Sequence, residues 1–281
     1  MIDFDKIFQI IKELNFNLTR GTATYEILES LTKECVKKSR FATSGKENFS
    51  FYGLIDLPFL KMGNINTLDL FGLDEIIIFA WYHKNKDKYN RVADLGANVG
   101  LHSILMSKLG WQVNAYEADP VTTSILANNL QLNSSKNTFI HNQAVSTADG
   151  HAEFIRVKNN LTGSHLAGAK KSPYGEVENF GVPTINIVKI MSSCDLIKMD
   201  VEGSEGDIIQ ATRAKDWQEV DALIEIGSKT NSEVIFKHFN EIAVSMYSQK
   251  NSWKLVTKLD QLPTHHTEGT VFCSSRRNFL E

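Results

Sequence analysis

The run Val92-Ala-Asp-Leu-Gly-Ala-Asn-Val-Gly100 carries an apolar strand into a glycine turn and then a helix. Tyr116-Glu-Ala-Asp-Pro120 ends the next strand on an acidic residue. Turn amides at a helix start favour an anionic group, and a carboxylate at the neighbouring strand end can accept both hydroxyls of a ribose. A third segment, Leu196-Ile-Lys-Met-Asp-Val-Glu-Gly-Ser-Glu205, places Asp200 and Glu202 between a strand end and a helix, and Glu225 ends another strand. Ser204-x-x-Asp207 reads as the capping box that opens that helix. Three carboxylates at one sheet edge can grip a sugar, take a hydroxyl proton or hold a hard cation.

The glycine spacing narrows the ligand. A dinucleotide turn follows G-x-G-x-x-G, in which the second glycine lets backbone approach a pyrophosphate. Here the order is Asp94-x-Gly96-x-Asn98-x-Gly100, with a side chain in that second place. S-adenosylmethionine carries an amino-acid end instead of a pyrophosphate. Asp94 suits its ammonium, and the amides around Gly96 and Gly100 suit its carboxylate. His102 and Ser103 stand in the first helical turn after Gly100 and fall near the same ligand by position. Glu117 with Ala118 is expected at the ribose, and Asp119, Gln143 and Ala144 toward the adenine. Asp119 also reads as a helix N-cap before Pro120. For the acceptor, Asp200 is the first choice as base, assisted by Glu202 and Glu225. His165, in a glycine-containing loop, is a second base candidate because an imidazole titrates near neutrality.

The elements that must position these groups alternate from Tyr89 onward. Strands are expected at Arg91–Leu95, Trp111–Tyr116, Thr138–Gln143, Ala152–Val157, Asp195–Met199, Ala222–Ile226, Trp253–Leu259 and Thr270–Ser274, with helices between most of them. The last two follow one another without a helix and should pair as an antiparallel hairpin at the sheet edge. The stretch 159–182 is polar and holds four of the chain's 17 glycines, so it reads as a long loop over the crevice. Before residue 86 the apolar periodicity is helical, at Ile7, Ile10, Ile11 and Leu14 and again at Leu28, Leu31 and Cys35. The aromatic stretch Phe49–Phe59 is a candidate cover for the acceptor. The expected architecture is α/β: a Rossmann-like, seven-stranded, mostly parallel sheet with an antiparallel C-terminal hairpin. Residues 1–85 form a mainly helical extension or cap, and residues 86–281 the transfer domain.

Of the 281 residues, 42% are hydrophobic and 22% charged, enough to bury a core. Thirty Lys and Arg against 33 Asp and Glu leave a net charge of −3, with no dense basic run, so nucleic acid is not the expected partner. Three scattered cysteines have no metal-ligand spacing, and neither a signal peptide nor a membrane span is expected. The cytoplasm is the expected compartment.

On Asp94-Leu-Gly-Ala-Asn-Val-Gly100, Tyr116-Glu-Ala-Asp-Pro120, Gln143-Ala-Val-Ser146 and Ile197-Lys-Met-Asp-Val-Glu-Gly-Ser-Glu205, the chain resembles the FkbM-type class I methyltransferases. The matching stretch runs from Arg91 to Gly227, and the last motif is the most diagnostic. Where that family usually has Glu-Pro, this chain has Glu117-Ala118, which keeps the carboxylate. The resemblance implies S-adenosylmethionine-dependent O-methylation of a small-molecule or glycan acceptor, such as a sugar hydroxyl or a natural-product hydroxyl. A divalent metal is not implied. A protein that binds the adenosyl cofactor without turnover is the alternative from another class.

Overall fold

The computed structural model describes residues 3–158, 160–169 and 175–280. A central sheet of eight strands comprises β1 (Arg91–Leu95), β2 (Gln112–Tyr116), β3 (Thr138–His141), β4 (Leu196–Met199), β5 (Asp221–Glu225), β6 (Ser245–Ser248), β7 (Lys254–Leu255) and β8 (Thr270–Ser274). Their spatial order is β3-β2-β1-β4-β5-β8-β6-β7. The first five run parallel, and β8 lies antiparallel between β5 and β6. The order reverses on either side of β1 and β4. In open parallel sheets the ligand crevice forms at such a reversal, beyond the strands' carboxyl ends.

The central strands are apolar on both faces, as strands covered on both sides must be. Val92, Leu196, Leu223 and Phe272 join one buried cluster, and Ala93, Leu95, Ile197, Met199, Ala222, Ile224 and Val271 the opposite one. The helices Phe4–Glu13, Ala23–Lys38 and Leu73–Lys84 cover the first face. Every residue from Ile76 to Tyr82 is buried, because this last helix is packed on all sides. Trp217, Ile235 and Phe239 fill the opposite face.

Three expectations change. The antiparallel C-terminal strands are present, but they do not form an edge hairpin with each other. Thr270–Ser274 inserts between β5 and β6, and only Lys254–Leu255 of the expected Trp253–Leu259 strand pairs, at the outer edge of β6. The reason is hydrophobic: Val271 and Phe272 bury completely only inside the sheet.

The stretch 159–182 is not all loop. Val177–Asn186 is a ten-residue strand, antiparallel to Gly150–Val157, and His165–Leu166 pairs on the other side of Gly150–Val157. With Ala144–Ser146 these strands make a separate four-stranded sheet. Asn179, Gly181 and Pro183 diluted the period-two signal, while Phe180 and Val182 pack with Phe154 and Ala144.

The aromatic stretch Phe49–Phe59 does not cover a crevice. Phe49 packs among Phe4, Phe41 and Phe71, and the Tyr52 hydroxyl donates to the Phe79 carbonyl. Each buried ring contributes about 1.5–3 kcal/mol by leaving water. Those rings serve the core between the N-terminal helices.

Candidate active site

The turn after β1 is built on close backbone approach. The amides of Gly96 and Ala97 both donate to the Tyr116 carbonyl, tying the turn to the end of β2. Gly96 has φ +77°, and a Cβ there would lie 1.8 Å from the carbonyl oxygen of Asp200. Gly100 has φ +92°, and a Cβ there would meet Leu126 at 2.4 Å. Only glycine fits either place. Asn98 sits between them in the left-handed region at φ +49°, a conformation asparagine tolerates better than most residues.

That geometry orients the polar groups. Asn98 N–H donates to Glu117 Oε2 and Asp119 N–H to Glu117 Oε1, both at 2.9 Å. Burial nevertheless pushes the Glu117 carboxyl up to about 7, the two amides resisting the rise. Asp94 is fully buried and accepts from Ser103 Oγ at 2.6 Å. Its other oxygen, and Asn98 Oδ1, are buried with no hydrogen-bond partner among the described residues. Buried acceptors without donors are costly in a folded protein, and a ligand bringing donors would satisfy them.

A cavity opens beside this turn, with about 620 Å³ of empty space counting the solvent at its mouth. Gly96, Asn98, Glu117, Ala118, Gln143 and Ala144 line one side, and Asp200 and Glu202 another. Phe154 and Leu166 of the separate sheet, with Leu161 and Ser164 from the loop between those strands, roof it. The roof is latched by Arg156, whose Nε and Nη2 donate to Asp119 at 2.6 and 2.7 Å while its guanidinium lies over Phe180. Asp119 also accepts the Val121 amide as the helix N-cap. Its carboxylate is therefore spent on the cap and the latch. Asp119 is not among the residues that line the cavity, whereas Gln143 and Ala144 are.

His165 does not line the cavity either. It is buried on its short strand, with Nδ1 at 2.8 Å from the Gly163 carbonyl, while its neighbours Ser164 and Leu166 face the cavity. Alternation along a strand turns the imidazole away.

The acidic segment is braced by a residue that sequence reasoning missed. The Glu205 carboxylate is buried and accepts the amides of Val201 and Gly203 and the Asn231 side-chain amide. This shapes the turn that holds Glu202 at φ +59°. The expected capping box is absent, since Ser204 makes no side-chain cap; Glu205 satisfies the upstream amides instead. The buried glutamate in Glu-Gly-Ser-Glu205 was the available signal, but its partner Asn231 lies on a later helix. The Asp200 amide donates to the Leu95 carbonyl, and Lys198 Nζ lies 3.5 Å from Asp200 Oδ2.

Glu225 and His102 line a second, much smaller void on the sheet face under the Leu73–Lys84 helix, with room for about one water. Glu75, Lys198 and Thr270 complete its polar wall. His102 Nε2 is 3.0 Å from Glu75 Oε2, and its Nδ1 is 3.0 Å from the Tyr82 hydroxyl. His102 thus turns away from the larger cavity, although it opens the helix that follows the glycine turn. Burial, with Asp200 and Glu75 nearby, drives the Glu225 carboxyl well above its ordinary range. Burial works against the Lys198 ammonium, but Asp200, Asp94, Glu225 and Glu75 more than offset it and raise its pKa.

Among the described residues no group of three or more His, Cys, Asp and Glu is arranged to hold a metal ion, and no helix is long and apolar enough to cross a membrane. All three cysteines are buried.

Among curated proteins, none matches the chain. Solved structures of similar fold include a precorrin-6y C5,15-methyltransferase from Geobacter metallireducens, at 11% identity and TM-score 0.41, covering 76% of this chain and 90% of that one. A SAM-dependent methyltransferase from Agrobacterium tumefaciens matches at 8% identity and TM-score 0.38, over 72% of this chain and 61% of that one. WbdD matches at 8% identity and TM-score 0.41, over 72% of this chain but only 39% of its own length. The methyltransferase FkbM domain matches residues 94–251, more than half of the chain. The matched span includes the glycine turn, Glu117 and the braced acidic segment. The chain belongs to the FkbM methyltransferase family and is an S-adenosylmethionine-dependent methyltransferase.

Proposed function

We propose that the protein methylates a hydroxyl oxygen, most specifically a hydroxyl of a sugar or glycan precursor. One observation carries this reading: Asp200 and Glu202 line the same cavity as Gly96, Asn98 and Glu117. A methyl donor held by the turn therefore has carboxylates beside it. In this reading residues 1–85 cap the site and residues 86–281 form the transfer domain.

S-adenosylmethionine supplies a methyl group on a sulfonium, already activated for displacement. The protein has to align the nucleophile and manage one proton. Glu117 accepts the ribose hydroxyls through the lone pairs its two amide donors leave free. Asp94 and the turn amides receive the amino-acid end, matching the buried acceptor on Asp94 that lacks a donor. Gln143 and Ala144 meet the adenine under the roof of Phe154 and Leu166.

Asp200 is the general base. Asp200 would accept the hydroxyl proton as the acceptor oxygen takes the methyl group from a donor held by the turn, which would leave as the neutral thioether. Lys198 Nζ, 3.5 Å from Asp200 Oδ2, helps hold that carboxylate in place. Glu202 orients the acceptor. A weakly acidic sugar hydroxyl needs such a base, whereas an amine nucleophile would be trapped as a cation between these carboxylates.

The test is transfer of a labelled methyl group from S-adenosylmethionine to a panel of glycosides, nucleotide sugars, phenols and amines, with and without magnesium. Labelled methyl ethers of sugars support the reading. Transfer confined to phenolic hydroxyls would move the acceptor to a natural product, and transfer only to amines would sink it.

A further inference from the structure

A row of polar side chains crosses the sheet face that the Leu73–Lys84 helix covers. Val92, Leu196, Leu223 and Phe272 pack on that face, and Asp94, Lys198, Glu225 and Thr270 each stand two residues away on the same strands. Strand alternation therefore puts them on the same side. Lys198 is in register beside Asp94, and Glu225 beside Thr270. Lys198 is the cation of the row, with its Nζ 3.5 Å from Asp200 Oδ2. Over the row, Glu75 of the helix joins Lys198, Glu225 and Thr270 around the void with room for about one water. That helix lies wholly outside the segment that matches the family.

We propose that Glu75 is a positioning residue for methyl transfer: acting through Lys198, it sets where the Asp200 carboxylate stands. This rests on the reading of Asp200 as the base of a hydroxyl methyltransferase.

The contacts run from the helix to the base with one water-sized step. The Tyr82 hydroxyl, which burial keeps protonated, donates to His102 Nδ1 at 3.0 Å. His102 Nε2–H then donates to Glu75 Oε2, also at 3.0 Å, and pins one glutamate oxygen. Burial works against the Glu75 anion, but His102 and Lys198 more than offset it and hold its carboxyl below the usual range. Glu225 is driven the other way, so it lines the void as a neutral acid. Asp94 accepts from Ser103 and, in the reading above, receives the donor's ammonium. Lys198 is thereby left to two carboxylates, Asp200 at the cavity and Glu75 at the helix. A lysine stem is flexible, and one contact of 3.5 Å does not fix its ammonium. A water in the void meets Glu75, Lys198, Glu225 and Thr270, enough polar partners to hold a buried water, and supplies the second anchor. Such anchoring matters because the base must reach the acceptor hydroxyl within hydrogen-bond distance, and a misplacement of about 1 Å can cost up to about a hundredfold in rate.

A double-mutant cycle in methyl transfer tests this. Glu75→Gln keeps an oxygen for His102 Nε2–H and removes the charge that faces Lys198. With labelled S-adenosylmethionine and a methyl hexopyranoside as acceptor, kcat should fall on the order of tenfold in Glu75→Gln. S-adenosylhomocysteine affinity and the thermal melt should stay as in the wild type, which shows that the variant folds. The same substitution should change kcat by less than about twofold when Asp200→Asn or Lys198→Met is already present, because its effect passes through those residues. If Lys198→Met does not fold, the Asp200→Asn background carries the cycle alone. An unchanged kcat in Glu75→Gln, an equal tenfold loss in the Asp200→Asn background, or a parallel loss of S-adenosylhomocysteine affinity would overturn the positioning role. Those results leave the hydroxyl-transfer reading intact as long as Asp200→Asn itself is impaired. Full activity of Asp200→Asn, or no transfer to any hydroxyl, would remove that reading and this inference with it.

Discussion

The carbonyl oxygen of Asp200 sits 1.8 Å from where a Cβ on Gly96 would be. The donor turn and the acidic segment are therefore in backbone contact, and the missing side chain of Gly96 lets the two halves of the site meet. Gly96→Ala would add both a clash with backbone and a left-handed strain at φ +77°. We expect it to destabilise the fold by about 3 kcal/mol or more and to abolish S-adenosylhomocysteine binding. Urea denaturation and calorimetry check the two effects. A variant of wild-type affinity would show that the contact is not needed.

Asp200→Asn keeps the shape of the side chain and removes its basicity. Methyl transfer should fall roughly 10²- to 10⁴-fold in kcat, with cofactor affinity nearly unchanged. Steady-state kinetics beside calorimetry separates these. Equal activity in the variant would reassign the base.

Glu117 should make cofactor binding depend on pH. Its carboxyl is raised from 4.5 to about 7 in the ligand-free protein, chiefly by burial. A raised carboxyl favours the fold below the unfolded pKa, and that stability is lost as pH rises from about 4.5 through about 7. Ribose binding needs the ionised form, so S-adenosylhomocysteine affinity should increase between pH 6 and 8. Glu117→Gln should bind weakly at every pH and should be less destabilised by raising the pH. Calorimetric titrations and thermal melts across that range test both signs; a wild-type affinity that is flat with pH would contradict the assignment.

The Arg156 latch predicts a loss of cofactor affinity without loss of the fold. Arg156→Ala removes two charge-assisted bonds to Asp119 and the contact over Phe180. Cofactor affinity should weaken about tenfold, with Arg156→Lys little better because a lysine cannot reproduce the two-pronged geometry. Hydrogen exchange should rise in Gly150–Val157 and Val177–Asn186 while the central sheet stays protected. Uniform protection with normal affinity would show that the roof closes without its latch.

The brace at Glu205 is a separate matter of stability. Glu205→Ala would leave the half-buried amides of Val201 and Gly203 without their acceptor and take one of the two acceptors of the Asn231 side-chain amide, at a cost of about 1–3 kcal/mol. Chemical denaturation measures it. The same change should lower kcat more than it weakens cofactor binding, because the brace shapes the turn carrying Glu202.

Residues close in the chain declared the donor side of the site. Asp94, Gly96, Asn98 and Gly100 lie within one turn, and Glu117 closes the next strand, so spacing alone placed them at the carboxyl edge of a parallel sheet. The helix N-cap at Asp119 and the five parallel strands β1 to β5 were readable for the same reason, since caps and periodicity are local. What decided the rest was pairing between distant segments. Phe180 and Val182 became a strand because Phe154 and Ala144 offered them a core, and β8 entered the sheet because Val271 and Phe272 bury only there. Asp119 and His165 carried the right chemistry in sequence, but Arg156 claimed the first and strand alternation turned the second away. Glu75 had no motif at all. It reaches Glu225, Lys198 and His102 only because the N-terminal helix packs its apolar surface on the sheet, and burial of that surface, not any local preference, brings the charge there.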